Sequence, residues 1–166
     1  MLRNIFISCK MNHYIKNAIV IIPLIFSMKF MQIDLYPNII LIFVAFCLMS
    51  SAVYIMNDCI DKNKDVLHPD KCRRPIASGE LPLCIAVAVL IILFLLSGIL
   101  AYIINFECLL SVSIYFILNV FYSMWLKDIV LIDAVCIALG FILRILGGCF
   151  AISVLPSSLV IILTFF

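Results

Sequence analysis

The chain has 166 residues, 67% of them hydrophobic and 12% charged, with a mean hydropathy of +1.32. A water-soluble domain is about half apolar and a quarter charged, so this composition excludes one and specifies an all-α, polytopic bundle of transmembrane helices. The formal net charge of +2, without a basic stripe, gives no footprint for a nucleic-acid partner.

In chain order, residues 1–17 carry Arg3, Lys10 and Lys16 among apolar neighbours, which suits an interfacial helix leading into the lipid bilayer. A first span is expected over residues 14–30, with Pro23 inside it, and a second over residues 38–56. Three more follow at 83–104, 108–126 and 129–151, each near the ~20 residues that a helix needs to cross. Residues 157–166 continue apolar after Pro156 but are too few to cross, so five full spans and a cut-off sixth are expected. Eight cysteines are scattered through apolar runs and loops with no C-x-x-C pair, and a zinc site is not expected.

Lysines and arginines fall on alternate connections, nine against one, with Arg144 left inside a span. That asymmetry places the amino terminus and the connection after span two on the cytoplasmic side of the membrane, which is expected to be a bacterial inner membrane.

The same connection, residues 57–79, holds most of the charge: Asp58, Asp61, Asp65 and Asp70 with Lys62, Lys64, Lys71, Arg73 and Arg74. It continues an apolar run without a break, so its first turns should prolong a helix. On a helix of ~100° per residue, Asn57, Asp61 and Asp65 drift by only about 40° per step, and Asp58 falls within the same arc. Four oxygen-bearing side chains then look in one direction. Several carboxylates together require a cation, and oxygen ligands select a hard one such as Mg2+, which is commonly shared between one or two carboxylates and substrate phosphates. Lys71 and Arg74 are suited to the remaining phosphate charge.

Asn57-x-x-x-Asp61-x-x-x-Asp65 at the end of a span resembles the first aspartate-rich motif of the UbiA-type intramembrane prenyltransferase superfamily. The longer string, S-S-A-V-Y-x-x-N-D-x-x-D through H-P-x-K-x-x-R-P-I-A-S-G, is most similar to its decaprenyl-phosphate phosphoribosyltransferase branch. So are I-K-N-A-I-V-I-I-P, which contains Lys16 and Asn17, and Y-S-x-x-L-K…D, which contains Tyr122, Lys127 and Asp133. The resemblance covers the amino-terminal part of such enzymes. It implies one UbiA-like domain over residues 1–166, with its carboxy-terminal half missing.

The resemblance implies a Mg2+-dependent transferase that moves a phosphoribosyl group from phosphoribosyl diphosphate to a polyprenyl (decaprenyl) phosphate, for cell-envelope polysaccharide precursors. Asn57, Asp58, Asp61 and Asp65 are expected to hold the metal; Asp58, Asp61 and Lys127 form the catalytic set. Lys16, Asn17, Lys71, Arg74, Tyr122 and Asp133 are the expected substrate-binding residues. Asp128 and Asp133 are five apart, roughly 140° round a helix, so a second full metal triplet is not expected. Two alternatives remain: prenyl transfer from a prenyl diphosphate to an aromatic acceptor, and a non-catalytic membrane fragment or transporter. Arg144, in G-F-I-L-R-I-L-G-G, should face the bundle and pair with an acid or a phosphate, while Gly140, Gly147 and Gly148 permit close helix approach.

Overall fold

A computed structural model of the chain describes residues 1–126, 130–156 and 162. The described residues are helical and contain no strand. The α-helices are α1 (Leu2–Cys9), α2 (Ile22–Phe26), α3 (Tyr36–Ile60), α4 (Lys62–Val66), α5 (Leu83–Ile104), α6 (Phe106–Phe121) and α7 (Val130–Ala151). Four stretches are long and apolar enough to cross a membrane: Ile33–Ile60, Leu83–Ile104, Phe106–Leu126 and Ile132–Ala151.

Span one departs from the expected α-helix. Met11–Ile21 is a 3-10 helix, and Pro23 opens the short α2 behind it, where its missing N–H costs no helical bond. At ~2.0 Å per 3-10 residue and ~1.5 Å per α residue, the two pieces together reach about 30 Å, the thickness of the hydrocarbon core. They hold sixteen residues against the ~20 of an α-helical crossing, and four of the five expected spans are met among the described residues.

α3 is the central post. Phe46, Cys47, Met49, Ser51, Ala52 and Val53 are all buried and lie on every side of it, so other elements surround it. α5 turns most of its surface outwards: Ile91, Ile92, Leu95 and Ile99 are exposed, as suits a lipid-facing helix. It meets α3 through small residues, and the Ser97 hydroxyl donates to the Ala45 carbonyl at 2.7 Å.

Glycines bring α7 close to its neighbours. A Cβ on Gly148 would stand 2.2 Å from the Val20 carbonyl oxygen, and one on Gly147 would stand 2.6 Å from the Phe46 ring. The carbonyls that end α7 are taken by side chains: Asn38 donates to Ala151 and Asn105 to Phe150, at 3.2 and 2.8 Å. Asn38, Asn105 and Ala151 thus define one end of the bundle. The other end gathers Lys10, the acidic connection and Tyr122.

Candidate active site

α3 runs past the apolar stretch to Ile60, and Asp61 (φ −84°, ψ 0°) breaks it before α4 begins. The register survives the break. Asp61 N donates to Asn57 O at 2.9 Å and Asp65 N to Asp61 O at 2.8 Å, so the three side chains rise from successive turns.

Their partners then separate them. Asp58 and Asp65, 2% and 3% exposed, converge on one cationic nitrogen. Arg74 Nη1 donates to Asp58 Oδ1 at 3.0 Å and to Asp65 Oδ2 at 2.7 Å. Lys10 Nζ donates to the same Asp58 oxygen at 3.0 Å and lies 5.1 Å from the Tyr54 ring centre. Asn57 has a different partner, its side-chain carbonyl accepting from the Ser123 hydroxyl.

Local sequence explains how Arg74 arrives there. Preceding Pro75, it is confined to extended backbone (φ −64°, ψ 141°), which stops the 3-10 turn Lys71–Arg73. Pro75 and Ile76 are buried directly after it, and Ile76 packs with Leu81, Ile55, Ala86 and Cys9. Ser78 N donates back to Arg74 O at 2.8 Å, and Gly79 takes the left-handed turn (φ 82°) that closes the loop. Lys10 is itself left-handed (φ 49°), which turns the chain from α1 into the 3-10 segment beside Asp58.

Beside the acids, on the Asn57 side, lies a cavity of about 260 Å3. Its walls include Lys16, Tyr54, Asn57, Tyr115, Asn119, Tyr122, Gly140 and Arg144. The Tyr122 hydroxyl donates to Asp133 Oδ1 at 2.7 Å, tying the two sides of the mouth. Tyr122–Leu126 forms a π-helical turn at the end of α6, a widening that brings Ser123 to Asn57.

Arg144 lies in the span Ile132–Ala151 and is 8% exposed. Its Nε donates to Asn17 Oδ1 at 2.7 Å, Nη1 to the Gly140 carbonyl at 2.7 Å and Nη2 to the Tyr115 hydroxyl at 2.8 Å. All three acceptors are neutral. No carboxylate pairs with Arg144 among the described residues, although a charge at mid-span costs at least about 2.5 kcal/mol.

Of the expected site residues, the structure brings Asp58, Asp65 and Arg74 into one ionic cluster, with Asp61 at the adjoining break. Lys16, Asn57 and Tyr122 meet at the cavity, and Asp133 reaches it through Tyr122. Asn17 is buried against Arg144, and its side chain also accepts from Ser50 at 3.3 Å. Lys71 is exposed on the loop. Lys127 and Asp128 lie outside the described residues, as does the cut-off sixth helix expected over residues 157–166, save residue 162. Spacing along the chain gave no sign of Lys10, which is 48 positions from Asp58, nor of Tyr115 and Asn119.

The donor set suits Mg2+. It is oxygen-only, and two carboxylates already converge on one positive charge. No three acidic, histidine or cysteine side chains form a cage among the described residues. Two carboxylates shared with substrate phosphates is the usual arrangement for this ion.

This fold has solved relatives. A UbiA homologue from Archaeoglobus fulgidus, bound to DMAPP and Mg2+, superposes with a TM-score of 0.73 at 18% identity over 99% of this chain and 57% of that one. The decaprenyl-phosphate phosphoribosyltransferase of Corynebacterium glutamicum is 34% identical over 113 residues, 67% of this chain and 34% of the relative. Nodulation protein NoeC of Azorhizobium caulinodans is 27% identical over 152 residues, 91% of this chain and 49% of the relative. The chain thus spans half or less of the length of these curated relatives. With helices packed in this manner about the acidic connection, and residues 20–166 matching the UbiA prenyltransferase family, the chain belongs to that family of integral membrane proteins.

Proposed function

We propose that the chain forms the diphosphate-handling part of a Mg2+-dependent transferase, which moves a phosphoribosyl group from phosphoribosyl diphosphate to a polyprenyl phosphate. The observation that carries this reading is the convergence of Asp58 and Asp65 on a single positive charge beside a cavity bearing Lys16 and Arg144. Carboxylates of that kind suit a metal, and the two cations suit the phosphates of both substrates. Support for the sugar donor comes from His68, Pro69, Lys71, Arg74 and Pro75, matched in register, and from relatives of that name at 34% and 29% identity.

Asn57, Asp58, Asp61 and Asp65 would hold Mg2+, which supplies charge neutralisation for the departing diphosphate. Lys71, Arg74 and Lys127 lower the repulsion between two phosphorylated substrates. An oxygen of the lipid phosphate bonds to the anomeric carbon of the ribose while the bond to the diphosphate breaks, the diphosphate leaving with the electron pair. The attacking oxygen is already ionised, so no side chain has to remove a proton. The site opens to the cytoplasm, where phosphoribosyl diphosphate is dissolved, and the lipid enters from the bilayer. The product is a precursor for envelope polysaccharide.

A second reading is prenyl transfer to an aromatic acceptor. It is favoured by the likeness of fold to a protein bound to DMAPP and Mg2+. Membranes carrying the chain, given radiolabelled phosphoribosyl diphosphate or a labelled prenyl diphosphate with Mg2+, separate the two by which label enters the lipid or aromatic product.

A further inference from the structure

Arg144 is a full charge inside the bundle whose hydrogen-bond partners among the described residues are all neutral. Of its five N–H donors, three reach Asn17, Gly140 and Tyr115, and its guanidinium carbon lies 4.5 Å from the Tyr115 ring centre. These contacts fix its direction, and no carboxylate among the described residues balances its charge. Lys16, an exposed side chain at the same cavity, is in no ion pair among the described residues. Every ion pair of those residues lies instead at the acidic cluster. A cavity of about 260 Å3 compares with ~30 Å3 per water molecule, so a phosphate group fits with room for the atoms it is attached to.

We propose that Arg144 and Lys16 form a second anion site, separate from the acidic cluster, which binds a phosphate oxyanion without a metal. Asn17 and Tyr115 are positioning residues that aim the guanidinium. Two substrates of the proposed reaction carry this chemistry: the lipid phosphomonoester and the soluble sugar diphosphate. The choice of ligands rests on the transferase reading, but binding here needs neither turnover nor Mg2+.

The test uses the full 166-residue chain in detergent with EDTA present, and equilibrium binding of farnesyl phosphate, farnesol and phosphoribosyl diphosphate. Wild type should bind at least one phosphorylated ligand, with farnesyl phosphate preferred over farnesol by about tenfold if the lipid is the source. Arg144→Met should remove the affinity, Arg144→Lys should restore part of it, and Lys16→Met should weaken it by a smaller factor. Asp65→Asn should leave it intact.

Loss for farnesyl phosphate alone assigns the site to the lipid, and loss for phosphoribosyl diphosphate alone assigns it to the donor. Unchanged affinity in a folded Arg144→Met protein overturns the proposal. If that variant does not fold, two results obtained without it overturn the proposal just as fully: wild type binding neither phosphorylated ligand, or Lys16→Met binding as wild type does. Arginine-dependent binding without any transfer on adding Mg2+ would remove the transferase reading and leave this site standing.

Discussion

Arg74 Nη1 lies 2.7 Å from Asp65 Oδ2, a contact that folds the loop 61–82 back onto its own helix α4. The same nitrogen also serves Asp58, which Lys10 shares, so it bridges two buried carboxylates. Removing it as Arg74→Gln should destabilise the protein by about 3 kcal/mol, because the buried Asp65 loses this cation and Asp58 is left with Lys10. Arg74→Lys should recover part, since a single nitrogen makes both bridges. Unfolding titrations in detergent measure the difference. A double-mutant cycle with Asp65→Asn should show coupling above about 0.5 kcal/mol.

Gly148→Ala should destabilise by about 1–3 kcal/mol, since its methyl meets the Val20 backbone and backbone cannot rotate away. Gly98→Ala is the control. There the added carbon finds only Leu109 Cδ1 at 3.7 Å, and stability should hold or rise slightly. The same titrations compare the two.

Thiol labelling tests the orientation. Cys72 sits on the partly exposed acidic connection, whereas Cys9 is buried at the end of α1. With all other cysteines replaced, Cys72 should react with an impermeant maleimide in inside-out vesicles but not in intact cells. Burial raises the Cys9 thiol above its ordinary value, opposed in part by its hydrogen bond with Ser51. Less thiolate is therefore present near neutral pH than for a free cysteine. Its labelling should stay slow until the pH exceeds the ordinary thiol range.

How far the chain could be read in advance depended on the kind of signal. α5 occupies the expected residues 83–104 because an unbroken apolar run is bounded by Pro82 and by Asn105, whose side chain caps α6 by accepting from Cys108 N at 2.7 Å. The i, i+4 acids were legible because helical register is local, and it persists across the break at Asp61. Pitch was not legible: hydropathy is the same for a 3-10 or an α-helix, so the winding of Met11–Ile21 went unseen. Nor were long-range partners. Arg144 could be recognised as a buried cation, yet its contact with Asn17 spans 127 positions and involves no opposite charge. Lys10 looked like an interfacial residue until its bond to Asp58 appeared.

The metal role of the acids makes a separate prediction. Asp61→Ala and Asp65→Ala should each lower Mg2+-dependent transfer by at least about a hundredfold while the protein still inserts in the membrane, because both the cation and the diphosphate it neutralises lose their hold. Titrating Mg2+ should not restore the rate at the concentration that saturates wild type.

The most direct measurement is transfer by the purified 166-residue chain, supplied with labelled phosphoribosyl diphosphate, decaprenyl phosphate and Mg2+. The account predicts labelled lipid that disappears on adding EDTA and in both aspartate variants. Label entering the lipid equally well in Asp61→Ala and Asp65→Ala, or no label entering it with wild type, would contradict it.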